Sequence, residues 1–256
     1  MNKPVVNIIT PLEEEFYLLH DSISKPVQEK YAGITFISGL LIDVPVVVAR
    51  SGVGKVNAAL AAQIMIDRFD ADRLILLGVG GVINSNLHIG DVVISKDVRY
   101  HDVDAIGLGF ALGEIPFLGV NTFEADQTLV EKAQQASIQS LFKLKYRYAA
   151  MGESYNHIPK VVVGTVITGD QFISGAGKKK QLIKSFNGDC VDMEGAAVAQ
   201  TAYLNNRQFV IIRALSDECE NDAEKDYYDF LNTIAPYLLF EIAVNMAGDL
   251  KVTTIH

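Results

Sequence analysis

The chain has 256 residues, 49% of them hydrophobic and 21% charged, with a formal charge of -9. That balance suits one large globular domain, residues 1–256, with a substantial core, and it excludes a disordered chain. Excess negative charge disfavours a nucleic-acid backbone as partner, and the amino terminus has neither the pattern of a signal peptide nor that of a membrane span.

The first element is a buried strand from Val5 to Ile9. Thr10-Pro11-Leu12-Glu13 then fits a capping box with proline at the first helical position, which assigns Glu13 to the cap. Glu14 faces solvent and favours the positive end of the helix dipole. At roughly 100° per residue, Glu15 falls beside Leu12, Phe16 and Leu19 on the inward face. A carboxylate there is costly unless it is paired, hydrogen-bonded or used.

Further strands read as Gly33 to Ser38, Val44 to Arg50, Leu74 to Gly78, Asp91 to Ile94, Val161 to Thr168, Asp189 to Asp192 and Phe209 to Arg213. Helical patterns cover Lys55 to Phe69, Thr128 to Ala136, Lys178 to Phe186, Glu194 to Leu204 and Tyr228 to Met246. The alternation is that of an α/β fold with a largely buried sheet. A cut near residues 145–160 is the only rival to a single domain. The run "GKKKQLIK" reads as a solvated helix face. Cys190 and Cys219 form no disulfide framework and share no ligand spacing with the five histidines, so the expectation is a reduced, cytoplasmic protein without metal.

In such sheets chemistry sits just beyond the carboxyl ends of strands. "SGVGKVNAAL" follows one strand but is no P-loop, since Ala49 and Val56 stand where glycine and a hydroxyl are required. It is no dinucleotide fingerprint either, so its glycines are read as a tight turn. "GVGGVI" allows a ligand or a backbone to approach closely. "GDQFISG" places Phe172 and Ile173 in a loop just after a strand, where Phe172 is either a stacking platform for a flat base or a loop aromatic packed on the core. In "VDMEG", alternation puts Asp192 and Glu194 on one side with Met193 opposite. "FVIIRALSD" is an apolar strand ending in Arg213 and followed by Ser216 and Asp217, the last of which also fits a turn or cap residue. Glu15, Glu194 and Asp217 together place three acids around one crevice. That is the arrangement for protonating a leaving group and activating water at a sugar bond.

The ordered set "LEEEFYLL", "SGVGKVNAAL", "GDVVISKDVRYHDVDA", "TGDQFISG", "VDMEGAAVAQ" and "IIRALSD" resembles the bacterial 5'-methylthioadenosine/S-adenosylhomocysteine nucleosidases of the purine and uridine phosphorylase superfamily. The resemblance implies a three-layer α/β/α sandwich with a central mixed sheet, a homodimer, and hydrolysis of an N-glycosidic bond to adenine and a 5-alkylthioribose, with no cofactor. By position it makes Asp217 the acid at adenine N7, oriented by Ser216, and Glu15 the residue that holds the attacking water. Glu194 would accept from the ribose hydroxyls beside Met193, Phe172 would stack on adenine, Ile173 would read its edge, and Arg213 would lie near sugar and water. Leu12, Val53, Phe110, Pro116 and Tyr227 match the alkylthio pocket, some across the dimer interface. Three departures stand out: Val79 replaces a hydroxyl near the water site, Asp192 a glutamate, and Phe110 a tyrosine. A phosphorylase of the same superfamily, a futalosine-type hydrolase and a nucleoside-binding sensor are the alternatives. A carboxylate at Glu15 repels phosphate and favours water.

Overall fold

The computed structural model describes residues 6–150 and 158–253. Val5, the expected start of the first strand, and the centre of the region of the alternative domain cut lie outside the described residues. In chain order the elements are β1 (Val6–Thr10), α1 (Glu13–Ser22), β2 (Ser24–Tyr31), β3 (Ile34–Leu41), β4 (Val44–Arg50), α2 (Lys55–Phe69), β5 (Arg73–Val82) and β6 (Val92–Tyr100). After a short 3-10 turn at Ile106–Leu108 come β7 (Phe123–Glu124), α3 (Gln127–Ala150), β8 (Val161–Thr168), α4 (Ala176–Phe186), β9 (Cys190–Asp192), α5 (Gly195–Leu204), β10 (Gln208–Asp217), α6 (Ala223–Thr233) and α7 (Ala235–Thr253).

The strands form one mixed sheet in the order β10-β6-β8-β9-β5-β1-β4-β3-β2, with β7 against β6. β5 also pairs with β10, so the ring β5–β10–β6–β8–β9 closes one end of the sheet on itself. Alternation along each central strand feeds two cores. Ile8, Ile75, Leu77, Val210 and Ile212 pack on the side of α1, α3, α6 and α7. Ile9, Leu74, Leu76, Phe209 and Ile211 pack on the side of α2 and α5. A strand buried on both faces reads as a continuous apolar run, which is why these segments are recognisable. The result is the three-layer α/β/α arrangement expected.

Some boundaries differ from expectation for physical reasons. The helix read from Tyr228 to Met246 is two helices, because Pro236 in the first turn of α7 cannot donate into a continuing helix. β2 was not anticipated: its sequence SKPVQEKY is largely exposed on the sheet edge and carries no buried face. Lys179 is not solvated as the lysine run implied; it is 7% exposed, and its Nζ donates to the Glu218 carbonyl at 2.6 Å. No single helix among the described residues is long and apolar enough to cross a membrane; the bent pair α6–α7 passes only when its two helices are joined across a 56° break. α7 packs against α1 and α3.

Candidate active site

The cleft opens where β1, β5, β9 and β10 end, and encloses a cavity of about 90 Å³. Leu12 is the N-cap of α1 and Glu15 its third helical residue. The Leu12 N–H donates to Glu15 Oε2 at 2.9 Å and the Val79 N–H to Oε1 at 2.9 Å. The cap carboxylate is therefore Glu15 rather than Glu13, because the helix starts at Glu13, two residues later than the proline-led box implied. Glu13 instead pairs with Arg50 at the surface. Glu15 is 2% exposed, and burial pushes its pKa up to about 7, against the pull of Arg213 and the two N–H donors.

Arg213 on β10 is 1% exposed and meets three partners. Its Nε donates to Asp192 Oδ2 at 2.8 Å, its Nη2 to Glu194 Oε2 at 3.0 Å, and its Nη1 to the Val79 carbonyl at 3.2 Å. Asp192 also accepts from the Thr168 hydroxyl at 2.5 Å and from the Gly195 N–H at 3.0 Å. Burial raises the pKa of Glu194, opposed by Arg213 and reinforced by Asp192. Gly78 makes this approach possible: a Cβ there would lie 2.4 Å from Arg213 Nη1 and 2.7 Å from Glu15 Oε1. The glycine-dense segment thus admits side chains at Gly78 and, as expected, a neighbouring backbone at Gly80, where a Cβ would lie 3.0 Å from the Val191 carbonyl oxygen. Val79 contributes through its backbone N–H and carbonyl, while its side chain belongs to the core on the α7 side.

At the end of β10 the register against β5 shifts between Leu215 and Asp217. Such a bulge re-aims side chains, and here the Ser216 hydroxyl donates to Asp217 Oδ2 at 2.8 Å while the Cys219 N–H donates to Oδ1 at 3.0 Å. Burial raises the Asp217 pKa, and these bonds only partly offset it. A carboxyl so placed can retain a proton for donation.

Across the cleft stands Phe172, 46% exposed, with its ring edge-on to Tyr227 at 5.6 Å. Ile173 is buried beside it, and Met193, Leu12 and Val53 complete the wall. The structure brings together twelve of the residues singled out in the sequence: Glu15, Asp217, Ser216, Phe172, Ile173, Met193, Glu194, Arg213, Val79, Leu12, Val53 and Tyr227. Phe110 and Pro116 do not line the cleft of their own chain; Phe110 packs instead on Phe117 at 5.3 Å. Sequence reasoning missed Asp192 as the main partner of Arg213, though the alternation that put it beside Glu194 was the available signal. It also missed Gly54, whose N–H donates to Glu194 Oε1 at 2.8 Å. Among the described residues no group of three His, Cys, Asp or Glu side chains is arranged to hold a metal ion.

The family model of the phosphorylase superfamily matches residues 6–236. A 5'-methylthioadenosine/S-adenosylhomocysteine nucleosidase of Staphylococcus aureus is 35% identical over 232 residues, covering 90% of this chain and 94% of that protein. The chain belongs to the phosphorylase superfamily, among its 5'-methylthioadenosine/S-adenosylhomocysteine nucleosidases. Solved nucleosidases of this family share its architecture. The enzyme of Colwellia psychrerythraea 34H in complex with adenine superposes with a TM-score of 0.84 at 33% identity, over 96% of this chain and 95% of that one. The Neisseria meningitidis nucleosidase in complex with methylthio-immucillin-A gives 0.81 at 32% identity, over 95% and 98%.

Proposed function

We propose that this nucleosidase, acting as one catalytic domain, hydrolyses the N-glycosidic bond of 5'-methylthioadenosine and S-adenosylhomocysteine, releasing adenine and the 5-alkylthioribose. One observation carries hydrolysis over phosphorolysis. Among the described residues that line the cleft, Arg213 is the one Lys or Arg, and Asp192 and Glu194 already engage it. Phosphate entering beside Glu15 would meet a carboxylate and no free cation; water meets a hydrogen-bond acceptor.

In this reading Asp217 donates its proton to purine N7 as the C–N bond lengthens, so that adenine leaves neutral. Glu15, fixed by two N–H donors, takes the proton of the water that attacks the anomeric carbon. Glu194 accepts from the ribose hydroxyls, with its charge matched by Arg213. Phe172 stacks on the base, Ile173 reads its edge through the backbone, and Leu12, Val53 and Tyr227 receive the 5' substituent.

We also read the protein as a cytoplasmic homodimer. Val53, Val56 and Leu60, a helix-spaced stripe continuous with the cleft wall, are 43%, 72% and 42% exposed, and Phe117 in the Phe110 loop is 91% exposed. A second copy covering such surface would bring Phe110 and Pro116 to the neighbouring pocket. The test of function is turnover of methylthioadenosine with and without phosphate, with the sugar product identified. Free methylthioribose at an unchanged rate supports hydrolysis; a sugar phosphate, or no turnover without phosphate, refutes it.

A further inference from the structure

Two consecutive N–H groups at the start of α2 are held by carboxylates from two separate segments, the turn before α5 and the loop that follows β8. Gly54 donates to Glu194, and the Lys55 N–H donates to Asp170 Oδ1 at 2.9 Å. A helix start presents unpaired N–H groups and a positive dipole end, so it favours two such anions. Glu194 is the proposed ribose acceptor, and Asp170 lies two residues before Phe172 in the loop Gly169 to Gly175. One helix end therefore sets the position of both. The backbone at Gly54, with φ of +99°, suits glycine, and a Cβ there would come within 3.2 Å of Asp170 Oδ1.

The Lys55 side chain closes over the same junction. Its Nζ is 2.6 Å from Asp102 Oδ2 and 3.6 Å from Asp170 Oδ2, and Asp102 Oδ2 accepts the Asp170 N–H at 2.9 Å. The ammonium also sits 5.5 Å from the centre of the Tyr100 ring. The turn before α2, the end of β6 and the loop bearing Phe172 thus meet at one cation. The Lys55 and Asp102 side chains are 23% and 15% exposed, which removes much of the screening that makes open surface pairs weak. Burial opposes the Asp102 charge, but Lys55 and the Asp170 N–H outweigh it and hold the carboxyl below its ordinary range.

We propose that Lys55, Asp102 and Asp170 form a charge clasp that positions the base platform at Phe172 and the ribose acceptor at Glu194, and so sets nucleoside affinity without touching substrate. The proposal rests on the reading of Phe172 and Glu194 given above. These are positioning residues, since none of the three lines the cleft that holds Glu15 and Asp217, so their loss falls on binding rather than on the chemical step.

The test compares Lys55→Met, Lys55→Arg, Asp102→Asn and the Lys55→Met/Asp102→Asn double variant on methylthioadenosine turnover and on inhibition by adenine. Lys55→Met and Asp102→Asn are expected to raise KM and the adenine inhibition constant about 10-fold with kcat within about 3-fold. The double variant should be no worse than the weaker single, as for groups acting as one unit, and Lys55→Arg should recover part of the affinity. Should Lys55→Met fail to fold, the near-isosteric Asp102→Asn carries the test. Phe172→Ala and Glu194→Gln run as controls. If they weaken binding while the clasp variants leave KM and adenine inhibition unchanged, the clasp is refuted. A fall in kcat as large as the rise in KM, with lowered melting temperature, makes it a folding feature only and also refutes it. If the two controls leave binding unchanged, the site reading itself fails and the clasp with it.

Discussion

Replacing Glu15 by glutamine removes the buried carboxylate to which the proposed mechanism assigns the attacking water, and its effect on stability has a definite sign. The folded-state pKa is about 7 against a reference of 4.5. Between those values the folded protein holds a proton that the unfolded chain has released, so stability falls as pH rises through that window. Integrating the two titrations from pH 5 to pH 8 gives a loss on the order of 2–3 kcal/mol in the native protein that the glutamine variant does not suffer. The hydrogen bond lost when an amide replaces one acceptor oxygen is the same at both pH values and drops out of the comparison. For a chain of this size the melting-temperature gap between variant and native protein should shift by about 5–10 °C in favour of glutamine on going from pH 5 to pH 8. Thermal unfolding of both proteins at fixed concentration measures it, alongside a kcat lowered about 10²- to 10⁴-fold. A melting-temperature gap that stays flat across this range would show that Glu15 is not held with a raised pKa.

Other substitutions probe the supporting structure. Gly78→Ala forces a methyl group between Glu15 and Arg213, so it should cost about 1–3 kcal/mol by chemical denaturation and reduce kcat more than it raises KM. Asp192→Ala leaves Arg213 buried with one fewer acidic partner; unfolding free energy should fall by about 3–5 kcal/mol, and a fall below 1 kcal/mol would deny Asp192 its place as the main partner. Val56→Arg puts a charge in the exposed apolar stripe, so sedimentation should show dissociation to monomer with raised KM, whereas an unaltered assembly would mean that the stripe is not the interface.

Much of the fold was legible because β4, β8 and α2 are bounded by clear turns and carry uninterrupted apolar patterns; their limits match the expected ones. β2 was not legible, since an exposed edge strand has no buried face to leave a period in its sequence. The site was legible in the acids that follow strand ends, and helix geometry alone separated Glu15 from Glu13 and Glu14. What the chain could not reveal by itself were partnerships across it. The Asp192 and Glu194 pairing with Arg213 spans 21 and 19 residues, and the Gly54 contact with Glu194 spans 140. Such contacts depend on how the sheet closes, and neither residue's local pattern encodes it. The glycines of β5 were recognised as places of close approach, but the sequence did not say which groups approach: the Arg213 and Glu15 side chains at Gly78, the Val191 carbonyl at Gly80, and the Cys219 and Asp217 side chains at Gly81.

The central claim is a division of labour, with Asp217 protonating the base and Glu15 activating water. It is tested most directly by giving native protein, Asp217→Asn and Glu15→Gln two substrates: methylthioadenosine and p-nitrophenyl 5-methylthioriboside, whose leaving group departs without a proton. The expected result is that Asp217→Asn loses about 10²- to 10⁴-fold on the nucleoside yet hydrolyses the nitrophenyl substrate at near-native rate, while Glu15→Gln is impaired on both. Equal loss of both substrates in Asp217→Asn, or native activity on either in Glu15→Gln, would contradict it.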